Sequence, residues 1–263
     1  MTELNTLTEI SSQGVATVTL NRPQVHNAFD EQLTAALTNE FQQLEDNVDV
    51  RCIILAAQGK SFSAGSDLSW MRRIADYDEN QNIADAEALT ELLRVLYECG
   101  KPTIARVQGS VFGAGVGLVA CCDIAVASEH ASFALTEVKL GLIPGVISPY
   151  VIQAIGARQT RRYMLSAERF DAREALRIGL VHKVVGDETL DEWITRLTRH
   201  ITANGPYALA ASKELIRAVT AQPLSAELRA DCARRVAEIR VSDEGQEGLD
   251  AFLSKRKPDW VNE

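Results

Sequence analysis

No uncharged apolar run in the sequence approaches the roughly 18 residues that a membrane-spanning helix requires. The first residues, MTELNTLTEISSQG, lack both the basic start and the apolar stretch of a secretion signal. Cysteine is scarce and odd in number. Cys52, Cys99, Cys121, Cys122 and Cys232 show no C-x-x-C spacing, which argues against a disulfide framework and against a zinc knuckle. The four histidines, His26, His130, His182 and His200, form no i, i+4 pair, so no helical metal site is expected. There is no P-loop, no H-E-x-x-H and no G-x-S-x-G, and nothing points to a Ser–His triad. Basic residues are the minority, 27 against 36 acidic ones for a formal charge of −9. That balance argues against a nucleic-acid partner while leaving room for a local basic pocket. These absences together lead to the expectation of a soluble, cytoplasmic, globular protein without metal.

What is present is a core-forming pattern. A chain of 263 residues with 46% hydrophobic side chains can bury a sizeable core without staples. Val15–Leu20 alternates apolar and polar residues, as a strand with one wet face does. Asp30–Val48 places Leu33, Leu37, Phe41 and Leu44 on one helical stripe. Cys52–Ala57 is a continuous apolar run of the kind buried on both faces of a sheet. Helical spacing returns over Ala84–Glu98, and Pro102–Val107 and Asp123–Ala127 read as further buried strands. Alternation of strand and helix from about residue 15 to about 185 predicts an α/β domain with crossover helices. From Leu190 to Phe252 the chain is almost all helix-forming, broken at Gly205-Pro206 and near Pro223. A tail of that kind must pack on something, its own domain or another subunit.

Three segments carry chemistry. Gly113, Gly115 and Gly117 give G-x-G-x-G, which lacks the spacing of a dinucleotide fingerprint. Lys60–Leu68 (KSFSAGSDL) and Gly109–Leu118 (GSVFGAGVGL) each place small residues at a strand-to-helix junction. Backbone N–H groups are unpaired at such junctions, and glycine lets a ligand come close. Two of them can aim two donors at one oxygen. The third segment, Ser132–Gly145, holds Glu137 in mostly apolar company. Glu137 is either a carboxylate paired with Lys139 or an arginine, or a general acid/base whose pKa an apolar setting raises.

At these segments the sequence resembles the enoyl-CoA hydratase/isomerase (crotonase) superfamily. The resemblance begins at Asn21-Arg22-Pro23 and His26-Asn27-Ala28. It runs through F-S-A-G-S-D-L, Q-G-S-V-F-G-A-G-V-G-L, C-D-I-A-V-A and F-A-L-T-E-V-K-L-G-L-I-P-G to Ser166–Val185, covering about four-fifths of the chain in order. It implies an α/β spiral of ββα units over residues 1–200 and a helical oligomerisation region over 201–263. It also implies a homotrimer, or a hexamer made as a dimer of trimers. An acyl-CoA thioester is the implied substrate, with no further cofactor because coenzyme A is part of that substrate. By the same resemblance the N–H groups of Ser66 and Ala114 polarise the thioester carbonyl. Fixed peptide dipoles stabilise the enolate-like oxyanion that forms there, by about 3–4 kcal/mol per donor in other oxyanion holes. Arg22, His26, Ala28, Ala64, Asp67 and Leu68 map onto the strip along which CoA runs, with Arg22 offsetting phosphate charge.

The family's hydratases use two glutamates. The second maps onto Glu137 and the first onto Gly117, so one carboxyl has to serve, and the glycine is expected to open space in the pocket. Ser69-Trp70-Met71, Cys121-Cys122-Asp123 and Ile147-Ser148-Pro149-Tyr150 resemble the bacterial methylglutaconyl-CoA and isohexenylglutaconyl-CoA hydratases of leucine and acyclic-isoprenoid breakdown. The implied activity is that of a lyase adding or removing water on a branched glutaconyl-type thioester. A double-bond isomerase and a non-catalytic acyl-CoA-binding member are the alternatives. The substrate's distal carboxylate asks for a cation, with Arg72 and Arg73 as candidates. That carboxylate, or a water it holds, is a candidate occupant of the place at Gly117. The tail cluster Lys255-Arg256-Lys257 is either a solvated terminus or a group reaching a neighbour's CoA phosphates.

Overall fold

The computed structural model describes residues 4–261. The chain opens with β1 (Thr6–Ile10) and β2 (Val15–Leu20), an antiparallel pair. In β2 the alternate residues Ala16, Val18 and Leu20 are buried, as the pattern predicts. Next comes α1 (Glu31–Asp46), capped by the Asp30 side chain accepting from the Leu33 N–H at 2.8 Å. It lays Leu33, Leu37, Phe41 and Leu44 into the core, each worth about 1.5–3 kcal/mol on burial. Strand β3 (Cys52–Ala57) is buried along its whole length. Two helices follow, α2 (Leu68–Ile74) and α3 (Glu79–Glu98). Helix α3 starts five residues before the apolar stripe predicts. A capping box between Asp78 and Gln81 supplies the start that its polar first turns do not advertise.

Two ββα-type units then repeat. Strand β4 (Thr103–Val107), strand β5 (Ser110–Phe112) and helix α4 (Ala114–Cys121) form the first. Strands β6 (Ile124–Ser128) and β7 (Ser132–Ala134), a 3₁₀ turn at Glu137–Leu140 and α5 (Ser148–Ser166) form the second. The first strand of each unit joins one sheet and the second strand joins the other. The larger sheet has the order β1-β2-β3-β4-β6 and closes on β9 (Lys183–Val185), parallel from β2 onward. The smaller pairs β5 with β7 and β7 with β8 (Phe170–Asp171). The chain completes these sheets with β8, α6 (Ala172–Ile178) and β9. The main core lies between the sheets and α1, α3, α4 and α5, around Phe41, Phe62, Phe133 and Tyr163.

Helix α7 (Leu190–Thr202) covers the outer face of the large sheet, where Leu190, Ile194 and Ile201 meet Ile54, Ile104 and Val126. It runs through residue 200, the expected edge of the core. Beyond it, α8 (Pro206–Thr220), α9 (Ala226–Val241) and α10 (Asp243–Leu253) confirm the helical tail and the breaks at Gly205-Pro206 and Pro223. A further break falls at Ser242, which ends α9 and caps α10 by accepting from the Gly245 N–H. These three helices fully bury only Leu228 and Ala251. No helix among the described residues is long and apolar enough to cross a membrane.

Candidate active site

The site is built by fastening two turns to each other. Asn27 is the fastener and is wholly buried. Its Nδ2 donates to the carbonyls of Gln58 and Ser61, and its Oδ1 accepts from the Arg22 N–H. The Ser63 hydroxyl donates to its main-chain carbonyl. His26 and Asn27 both lie in the left-handed region, with φ of 54° and 53°, a conformation that asparagine tolerates better than most residues. The 60–68 turn is thereby held against the chain that leads into α1. There the Phe29 N–H donates to the Gly65 carbonyl, and the Asp67 N–H donates to the Phe29 carbonyl. Those two bonds flank Ser66 and turn its own N–H to the other side.

The second turn enters α4 through Gly113, whose φ is 51°. The Gly113 N–H donates to the Ala134 carbonyl, and its carbonyl receives Val116. The Ala114 N–H heads the helix. Neither it nor the Ser66 N–H donates to a protein group among the described residues. The turns touch backbone to backbone. A Cβ built on Gly65 would lie 3.3 Å from the Phe112 carbonyl oxygen, and one on Gly113 would lie 3.8 Å from Cα of Gly65. Ser66, Ala114 and Glu137 line one cavity of about 440 Å³ together with Trp70, Met71, Leu89 and Leu142. Its lining contains no lysine and no arginine.

Among the described residues Glu137 has no ion-pair partner in this wall, and Lys139 is exposed and makes no bridge to it. Oε2 of Glu137 is buried and makes no hydrogen bond, and only Arg51 Nε shares that condition among the described residues. Oε1 lies against Gly113, where a Cβ would come to 3.2 Å. Burial pushes the carboxyl above its ordinary value, and a bond from its own backbone N–H pulls it only partly back. A carboxyl in that state can hold a proton and release it to a neighbouring carbon.

Several expectations are corrected. Gly117 opens no space, because a Cβ there would come to 2.4 Å from Ile147 Cγ2 and 3.7 Å from Leu93 Cδ1. Ile147 packs directly on Gly117 and closes the space expected beside it. Arg22 is already engaged by protein groups. It donates to the Ala28 carbonyl and forms ion pairs with Asp30 at 2.8 Å and Asp67 at 3.1 Å. Burial pushes the Asp67 carboxyl up. The N–H groups of Trp70 and Ser69 and the guanidinium of Arg22 outweigh that and hold it below the usual range. Arg22, Ala28 and Asp67 are therefore internal parts of the clamp, whereas His26, Ala64 and Leu68 present surface beside it. Arg72 and Arg73 are both exposed and outside the cavity, and Arg73 pairs with Glu31 at 2.6 Å. In the tail cluster, Arg256 is engaged by Glu247 and Asp250.

The sequence reading passed over Asn27 as a site residue, although it stands between His26 and Ala28 in a quoted motif. A lone asparagine after histidine gives no periodic signal, and its role shows only once both loops are in place. Trp70 and Ile147 stand in quoted motifs, yet neither they nor Leu89 are marked by the sequence as lining the cavity. They belong to different elements that no local spacing connects. Among the described residues no group of three His, Cys, Asp or Glu side chains is placed to hold a metal.

The family model for enoyl-CoA hydratase/isomerase matches residues 10–263. A crystal structure of an enoyl CoA hydratase/isomerase (crotonase) from Legionella pneumophila is 45% identical, with a TM-score of 0.94, over 99% of this chain and 100% of that one. An enoyl-CoA hydratase from Shewanella pealeana is 44% identical at a TM-score of 0.95, over 97% and 96% of the two chains. The 2,3-dehydroadipyl-CoA hydratase of Escherichia coli is 31% identical over 94% of this chain and 95% of its own length.

Two stability measurements check this geometry. Below the ordinary glutamate value of 4.5 both folded and unfolded chains hold the Glu137 proton. As pH rises past it, the unfolded chain loses the proton first, so folding weakens until the raised folded value is passed. Glu137→Gln removes that loss. Its stability advantage over wild type in urea titrations should grow across the weakly acidic range and then level off. Separately, Gly117→Glu should cost about 1–3 kcal/mol through overpacking, and an added Ile147→Ala change should recover part of it, read from urea midpoints.

Proposed function

The chain belongs to the enoyl-CoA hydratase/isomerase family, and from that premise we propose that it adds water to an enoyl-CoA with Glu137 as its only carboxyl acid/base. The observation that carries this reading is the pairing of a buried, unpartnered carboxyl with two unused N–H groups in one cavity wall. With the thioester oxygen on the Ser66 and Ala114 N–H groups, electron density from the double bond moves onto that oxygen as hydroxide adds at Cβ. The Glu137 carboxylate takes the other proton of the water and delivers it to Cα, restoring the thioester carbonyl. One carboxyl suffices if both additions occur on the same face. The donors need no reorganisation as charge grows, and the largely apolar lining strengthens their effect.

For the acyl group, we propose a branched glutaconyl-type thioester, 3-methylglutaconyl-CoA or isohexenylglutaconyl-CoA. Support comes from the Ser69-Trp70-Met71 and Ile147–Tyr150 motifs. The Escherichia coli relative is named for 2,3-dehydroadipyl-CoA, whose acyl chain also ends in a carboxylate. The cavity wall offers no cation, so the distal carboxylate belongs at the rim, near the exposed residues Leu142 and Ile143, rather than deep inside. A second reading, double-bond isomerisation, is favoured by the filling of position 117. A single base that shuttles a proton between the α and γ carbons needs no partner carboxylate. The five free thiols, four of them buried, suit the reducing cytoplasm in which we place the reaction.

We also propose that copies of the chain cover the C-terminal helices, as a trimer or a dimer of trimers. Ile216, Val241, Phe252 and Leu253 are each more than half exposed, a dense apolar set for three helices that bury so little of themselves.

Mass-spectrometric detection of water addition tests the reaction. Crotonyl-CoA, 3-methylcrotonyl-CoA and 3-methylglutaconyl-CoA form the panel, with the last expected to react fastest. Equal rates on all three would remove the glutaconyl assignment, and a shifted double bond without added water would select the isomerase. Glu137→Gln should lower turnover by about 10²–10⁴-fold while acyl-CoA still binds. Light scattering should give three or six chain masses, and a single-chain mass at micromolar concentration would exclude the assembly.

A further inference from the structure

Behind the acyl cavity lies a second chamber of about 380 Å³, between α1 and α3. The two spaces share Ser66, Trp70, Leu89 and Ala114 in their walls. Trp70 is the bulkiest of the four, and its indole is tied down, donating from Nε1 to Asp85 Oδ1 at 3.0 Å.

The chamber's polar groups are mostly occupied elsewhere. Thr34 and Thr38 bond back to carbonyls of their own helix. Asp30 pairs with Arg22, Glu31 with Arg73, and Glu91 with Arg94. Burial pushes the Asp85 carboxyl up, which favours its uncharged form. What remains facing the space is largely apolar, from Phe29, Ala35, Ala88 and Leu89. Hydrocarbon fits such a lining, whereas the surrounding carboxylates disfavour an anion.

We propose that Trp70, pinned by Asp85, is the stop that limits how far an acyl chain reaches, and that the chamber behind it is an apolar extension of the acyl site. The proposal rests on the acyl-CoA reading above and adds a specificity-determining residue to it. Removing the indole merges the two spaces and lets a methylene chain run from the thioester between α1 and α3.

Calorimetric binding of two saturated thioesters, butanoyl-CoA and dodecanoyl-CoA, tests this without requiring turnover. In Trp70→Ala the preference for dodecanoyl over butanoyl should rise at least about tenfold over wild type, since each buried methylene contributes favourably. Adding Ala35→Phe, which fills the chamber, should cancel the rise. An unchanged preference in Trp70→Ala, or a rise that persists in the double variant, overturns the proposal while leaving the acyl-CoA reading intact. Should Trp70→Ala fail to fold by far-ultraviolet circular dichroism, Trp70→Leu is the substitute, with a rise of the same sign required. Binding of neither thioester by wild type overturns the acyl-CoA reading and this proposal with it.

Discussion

The contact between the backbones of two glycine turns is the constraint on which the site depends. Gly65 lies against the Phe112 carbonyl, and Gly113 lies against Gly65. A side chain at Gly65 would crowd the Phe112 carbonyl, and the positive φ of both glycines, 88° and 51°, strains any other residue there, so substitution disturbs the setting of the Ser66 and Ala114 donors. Everything nearby serves that approach. Asn27 ties the first turn to the chain before α1, the Arg22–Asp30–Asp67 cluster locks its outer side, and β5 and β7 fix the second. These supports are polar and buried, so each is fully satisfied or costly, which makes the clamp specific as well as firm.

The electrostatic character of the site follows from what its wall lacks. An ordinary surface carboxyl gains from water or a cation. The inner oxygen of Glu137 is buried with no protein hydrogen-bond partner among the described residues, and the penalty of desolvation falls on its charged form. The unused N–H donors beside it are the opposite partner, able to take up negative charge when it appears on a substrate. Carboxyl and donors occupy one largely apolar wall.

Much of the fold was legible in the sequence because burial imposes periodicity. Val15–Leu20 and Cys52–Ala57 coincide with β2 and β3, and the stripe of α1 holds along its length. Strands β5, β7 and β8 escaped because they are two or three residues long, too short for any period to register. Within the site, Glu137, Ser66 and Ala114, the positions the motif resemblance singles out, line one cavity. At Arg22 and Gly117 the fold adds what residue type leaves open. A residue's type does not state its neighbours: Asp30 and Asp67 already held the guanidinium, and a distant isoleucine already occupied the gap. Both facts are tertiary, and nothing local in the chain encodes them.

The wedge of Ile147 over Gly117 also bears on how this lineage can change. A glutamate introduced alone meets a full interior, and trimming the isoleucine alone leaves a void. Positions 117 and 147 are therefore coupled by packing, and a side chain at one is accommodated only by a change at the other.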